Sequence, residues 1–216
     1  MGGSTFETIL NTMDEFGYDA EWQVLNSKNF GVPQNRERVF IIGHLRGKSE
    51  RTVFPVGKAN GGFNPRKITS FGKWMGANRR VGQEVLDPEG VFPTLTTKSH
   101  NLDVQKIAVK EGTRKGYKYA QEGDGINLSF PTSHTRRGRV GEQISNTLLT
   151  GSEQGVVTND LRIRRLTPLE CWRLQGFTDE QFYKAKNSGV SENQLYKQAG
   201  NSVTVNVIDA IAQKLL

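Results

Sequence analysis

The chain has 216 residues, 29 Lys/Arg against 22 Asp/Glu and a formal charge of +7. That length allows one large domain or two modest ones, and its apolar content suffices to bury a core. A single cysteine, Cys171, excludes an internal disulfide and any multi-cysteine zinc site, no run of about 18 apolar residues appears, and no basic-plus-apolar leader is expected at Met1. No metal site and no membrane span are therefore expected, and a soluble intracellular, cytoplasmic protein is.

The excess charge is uneven, with a balance of −2 over residues 1–50, +6 over 51–160 and +3 over 161–216. The basic middle fits a polyanionic partner as well as it fits a plain solvated surface.

In chain order, residues 4–17 predict a helix. Ser4 and Glu7 are spaced as a capping box, Phe6, Ile9, Leu10, Met13 and Phe16 line one face, and Gly17 stops it. Then "YDAEWQVLNS" alternates Ala20, Trp22 and Val24 with Glu21 and Gln23, the pattern of a half-buried strand. A loop, "KNFGVPQ", leads to "VFII" at 39–42, which reads as a buried strand. Helix, strand, loop and strand make part of an α/β sheet, too few elements to close one.

From 49 to 160 the texture changes to Gly, Thr, Ser, Asn and basic residues, with short apolar stretches such as "RTVFPVG", "VQKIAV" and "INLSF". No helical period runs through it, and short strands with long loops are expected. Loops on that scale usually hold something. Helical signals return at Thr167-Pro168-Leu169-Glu170, a capping box with proline at the first helical position, running to Gly176. Thr178 with Gln181 starts a second helix, Ser191 with Gln194 a third ending at Gly200. Val203, Val207, Ile208, Ile211 and Leu215 then mark a last amphipathic helix.

Three stretches carry candidate chemistry. Gln34, Arg36 and Arg38 recur at every second position in "PQNRERVF", which in an extended chain places them on one face. Guanidinium forks suit phosphates and carbonyl oxygens; the plainer alternative is an arginine paired with an acid to staple the loop. "QAGNSVTVNV" reads as a Gly-Asn-Ser turn opening a helix, with free N–H groups for a carboxylate, ribose or base edge, or simply a cap at Asn201 or Ser202. "RIRRLTPLECWRLQGF" places Arg162, Arg164 and Arg165 ahead of a capped helix holding Trp172.

Taken together, in this order and separation, the three resemble the C-terminal portion of the DNA cytosine-5 methyltransferases. "PQNRERVF" is similar to that family's Gln-x-Arg-x-Arg motif, "RRLTPLECWRLQGF" to its Arg-x-Leu-Thr motif and "QAGNSV" to its last motif. The resemblance implies an α/β fold: the C-terminal part of a Rossmann-like methyltransferase sheet with an inserted, loop-rich, mostly-β target-recognition domain. Residues 1–48 would be a catalytic-domain segment and 49–160 the recognition domain. Residues 161–190 would be a helical motif completing it, and 191–216 the return to the catalytic domain.

The same resemblance implies the roles. Arg38 would contact a cytosine swung out of the duplex, Arg36 would hold phosphates and Gln34 would support the loop. Asn201, Ser202 and Val203 would line the S-adenosylmethionine pocket. Arg165, Thr167, Glu170 and Arg173 would be structural. Thr147 and Leu148 would lie near double-stranded DNA, with Arg136, Arg137, Arg139 and Lys98 as further DNA contacts.

The family's Pro-Cys nucleophile, Glu-Asn-Val glutamate and glycine-rich cofactor turn are not among these residues, and Cys171, inside a helix, reads as a packing residue. The chain is thus expected to need an N-terminal segment or subunit that supplies them. The alternatives are a truncated remnant and a non-catalytic, sequence-specific DNA-binding subunit.

Overall fold

The computed structural model describes residues 3–48, 52–57, 106–133 and 135–215. Helix α1 (Gly3–Glu15) passes through Gly17, whose φ of 79° turns the chain, into an antiparallel hairpin of β1 (Tyr18–Asn26) and β2 (Glu37–Leu45). Ser4 lies inside the first turn of α1 rather than ahead of it, so the capping box read from its spacing is not the helix start.

The alternation in β1 is real but has the opposite sense to that expected. Trp22 and Val24 are half exposed, at 50% and 51%, while Glu21 and Gln23 face inward. The cause is a backbone demand. Glu21 accepts the N–H groups of Val53 (2.7 Å) and Phe54 (3.0 Å), and Gln23 accepts that of Val56 (2.8 Å). Side chains, not a third strand, thereby strap residues 52–57 along the hairpin. Val39 of the "VFII" stretch is also half exposed, facing the same side as Val24, its register partner. Part of this outer face is covered by α1, with Phe6 edge-on to Trp22 at 5.2 Å.

Short strands follow, as the composition predicts. β3 (Lys106–Lys110) and β4 (Tyr117–Gln121) form a hairpin. β5 (Gly125–Asn127), β6 (Val140–Gly141), β7 (Gln154–Val157) and β8 (Ile163–Arg165) form an antiparallel sheet of order β6-β5-β7-β8. Ile107, Val109, Ala120, Ile126, Val140 and Val157 make their core.

The helical end matches its caps. α2 (Pro168–Leu174) and α3 (Asp179–Asn187) begin at complete capping boxes on Thr167/Glu170 and Thr178/Gln181. α4 (Glu192–Asn201) begins at Ser191, whose hydroxyl accepts from Gln194 N–H. These three helices bury Cys171, Trp172, Phe182, Leu195 and Ala199 with Leu148 and Leu166. Burial, with Glu170 adding to it, pushes the Cys171 thiol up to about 12, so it is a packing residue. α5 (Val205–Leu215) packs Val207 and Ile211 against Leu25, Phe30, Val53 and Val56, whereas Ile208 and Leu215 stay about half exposed. The architecture is mixed α/β, and every strand pair among the described residues is antiparallel.

Glu170 sets an acid-sensitive element. Burial pushes its carboxyl up, but the Arg164 fork at 2.7 and 2.9 Å and the Thr167 N–H at 2.8 Å outweigh that and hold it below the ordinary carboxylate range. A depressed folded pKa contributes fully above the unfolded glutamate value of about 4.3 and is lost as pH falls through the folded one. Resistance to urea should therefore drop as the medium is acidified below about pH 4. Glu170→Gln should weaken the protein at neutral pH and flatten that acid limb; superimposable limbs for the two proteins would remove Glu170 as its source.

Candidate functional site

The residues of the Gln-x-Arg-x-Arg stretch do not share one environment. β2 starts only at Glu37, and the loop ahead of it is drawn inward, where Pro33 and Asn35 exchange backbone bonds with Ser145. Gln34 is fully buried. Its amide nitrogen donates to the Leu174 carbonyl (3.0 Å) and its oxygen accepts the Leu148 N–H (3.1 Å).

Arg36 is 5% exposed, and its guanidinium donates to three carbonyls: Leu148 (3.1 Å), Gly200 (2.9 Å) and Ser202 (2.9 Å). Among the described residues no carboxylate pairs with it. Burial, then the charge of Arg38, lowers its pKa from the ordinary arginine value. The structure places the two terminal nitrogens of Arg36, expected to hold phosphates, on backbone carbonyls and turned away from solvent, while its Nε is buried with no hydrogen-bond partner.

Arg38 is different. It is exposed on β2, donates to the Glu37 carbonyl (2.6 Å) and lines a small open hollow with Leu25, Ser27, Arg36, Phe40, Val203 and Thr204. Of the three motif residues it alone offers a fork to a ligand.

The Gly-Asn-Ser stretch is also corrected in its polarity. Gly200 and Asn201 end α4 instead of opening a helix, and Ser202 is its C-cap. A helix C-terminus presents carbonyls and negative partial charge, which is why a guanidinium docks there. Gly200 has no room for a side chain, since a Cβ would collide with the Leu149 carbonyl. Asn201 and Val203 are exposed, while the Ser202 hydroxyl is turned back to the Ala199 carbonyl (2.9 Å). Val203, but not Asn201, lines the Arg38 hollow.

A polar network that the sequence reading did not single out supports this cleft. Gln175, fully buried, donates to the Ala199 carbonyl (2.7 Å) and accepts from Thr204 (2.9 Å), whose hydroxyl meets that of Ser27 at 2.7 Å. The only signal for it was a glutamine followed by glycine at a helix end. Gly176, at φ 82°, leaves its Cα facing Asn206, where a Cβ would collide.

The remaining candidates divide. Leu148 is 3% exposed in the helical core, so it is not a surface contact; Thr147 donates to the Asn35 carbonyl (2.7 Å), and Leu149 is the exposed neighbour. Arg139, expected among the DNA contacts, is buried with its guanidinium on the Phe130 carbonyl. Arg137 is exposed and Arg136 lies over the Phe130 ring. Lys98 falls outside the described residues. In the structural motif Thr167 and Glu170 form the cap and Arg173 forks onto Asp179 at 2.6 and 2.8 Å. Arg164, not Arg165, pairs with Glu170, while Arg165 is exposed and serves β8 through its backbone.

Comparison with known proteins gives the class. The sequence profile of the C-5 cytosine-specific DNA methylases matches residues 2–216, so the chain belongs to that family. Orphan methyltransferase M.SPBetaI of Bacillus phage SPbeta is 32% identical over 99% of this chain and 62% of its own length. Type II methyltransferase M.SsoII of Shigella sonnei is 32% identical over 99% of this chain and 48% of its own. The chain thus spans roughly half to three fifths of these relatives. The crystal structure of the S. pombe Dnmt2 methyltransferase shares the fold, with a TM-score of 0.50 at 18% identity over 100% of this chain and 62% of that one.

Removing the Arg36 guanidinium would take the donor from three carbonyls, two of them in buried contacts. Arg36→Ala should cost about 3 kcal/mol of unfolding free energy, whereas exposed Arg38→Ala should change it by less than about 1 kcal/mol. Denaturant titration of both variants measures this; equal losses would contradict the division of labour between them.

Proposed function

We propose that this chain is the C-terminal portion of a DNA cytosine-5 methyltransferase that acts on double-stranded DNA and recognises a short sequence. It would help transfer a methyl group from S-adenosylmethionine to C5 of a cytosine swung out of the duplex. The observation that carries the reading is the pairing of a committed arginine with a free one. Arg36 is locked into the protein, and beside it Arg38 keeps an available fork at a hollow bordered by Val203 and Thr204. An extruded pyrimidine offers a carbonyl oxygen to such a fork, and contacts of this kind offset the few kcal/mol that unstacking costs.

S-adenosylmethionine, when bound, supplies the electrophilic methyl group. The exposed pair Asn201 and Val203 fits one wall for it, an amide for a polar edge and a small apolar side chain for a ring face. A second polar wall and the attacking thiolate would come from a Pro-Cys and Glu-Asn-Val segment on a preceding stretch or subunit. Cys171, buried with its thiol held protonated, does not take that place. An apolar outer face on the hairpin, with Trp22, Val24 and Val39 each about half exposed, supports a further layer there. Recognition is assigned to the basic region between residues 49 and 160, with Arg136 and Arg137 as its phosphate contacts.

Arg38→Ala, in the protein completed with such a segment, should cut methyl transfer to duplex DNA by about a hundredfold with the fold intact; undiminished turnover would overturn the role of Arg38. Replacing residues 49–160 with the equivalent stretch of a relative should move the preferred sequence, and a preference that stays put would refute the recognition assignment. Affinity should also fall steeply as salt rises, since phosphate contacts release counterions.

A further inference from the structure

Phe130 is 71% exposed and has a φ of 50°, a left-handed conformation that a bulky side chain rarely adopts. Two donors fix its carbonyl, the Ser133 N–H at 3.0 Å and the guanidinium of Arg139. Arg139 is itself 4% exposed, and its backbone N–H donates to the carboxylate of buried Glu111 at 2.6 Å. The rest of the loop is tied to the β3–β4 turn. Gly112 N–H donates to the Arg136 carbonyl (2.6 Å), and Arg137 Nε donates to the Gly112 carbonyl (2.8 Å). A side chain at Gly112 would collide with the Thr135 backbone.

Two buried charged residues and a fitted glycine therefore present one aromatic ring to solvent. A ring held outward in a strained backbone, on a loop braced from behind, is not explained by packing. Its surroundings state what it would meet. Arg136 lies 5.4 Å from the ring centroid, Arg137 is exposed beside it, and Arg114 and Lys115 are exposed on the turn to which Gly112 belongs. An anionic backbone enclosing apolar base faces matches both the cations and the ring.

We propose that Phe130 is a base-contacting residue of the recognition region. Its ring lies against bases in a groove of duplex DNA, while Arg136 and Arg137 take the flanking phosphates. This rests on the DNA-recognition reading above. It divides the loop's work in two: the arginines give affinity for any duplex, and Phe130 gives preference among sequences.

The test enriches a pool of short duplexes with randomised centres on the protein completed with its preceding segment. Binding of the enriched duplex and of a scrambled one is then measured for the wild type, Phe130→Ala, Phe130→Tyr and Arg137→Ala. Phe130→Ala should bind the enriched duplex about tenfold more weakly, the worth of one good base contact. It should bind the scrambled duplex as the wild type does, with an unchanged melting temperature. Phe130→Tyr should keep most of the preference, and Arg137→Ala should weaken both duplexes alike and make the salt dependence shallower. If Phe130→Ala keeps the wild-type preference, or loses both duplexes equally, the role of Phe130 is overturned and the DNA reading survives. A completed wild-type protein that enriches no sequence and binds without salt dependence overturns the DNA reading, and this inference with it.

Discussion

A buried cation that no carboxylate meets among the described residues sets the terms for this molecule. Arg36 has surrendered its hydration and receives in exchange three carbonyl oxygens from two separate stretches of chain. Isolated, such a charge would be costly to bury. Two of its acceptors, however, lie at the closing turn of α4, where the helix dipole adds negative potential. Gln34 grips the N–H of Leu148 while Arg36 grips its carbonyl, so one residue between β6 and β7 is held through both its backbone polar groups. The hairpin, the stranded region and the end of α4 are thus referred to one guanidinium plane. The position of Arg38, two residues along β2, inherits that rigidity.

The second consequence is electrostatic. Placing two guanidinium groups close together raises the local potential, and burial of one forces the other to carry the exposed charge. A hollow bordered by such a pair favours an oxygen-rich or anionic visitor over a cation. Its other side is formed by Val203 and Thr204, and Thr204 is itself held by Gln175 and Ser27. The groups around the hollow are therefore pre-positioned by interior hydrogen bonds, as a binding site requires if little ordering is to be left for the encounter.

Much of the scaffold was legible in the residues, and the failures have physical causes. Local chemistry was reliable: Thr167 with Glu170 and Thr178 with Gln181 are reciprocal caps, complete within four residues and independent of the rest of the chain. Periodicity was reliable for pattern and unreliable for sense. A period of two says that Glu21 and Gln23 share a face, but not that residues 52–57 need their carboxylate and amide more than the core needs Trp22. Gln34 and Arg36 lie ahead of β2, where strand geometry does not govern them, and Gly-Asn-Ser serves equally as an end or a beginning until the helix on one side is known. Phe130 left no trace at all: its backbone is set by Arg139 and Glu111, which meet only after folding.

Cys171 has a use outside the biology of the chain. Its sulfur is enclosed by α2, α3 and α4, and its proton is held far above the range in which thiols react. Maleimides, nitroxides and other sulfhydryl reagents will pass over the folded protein, so it offers a silent background. A cysteine introduced on the exposed rim, beside the hollow or along the outer face of the hairpin, would take a probe alone, and the approach of a nucleic acid or a companion polypeptide could be followed from a single known point.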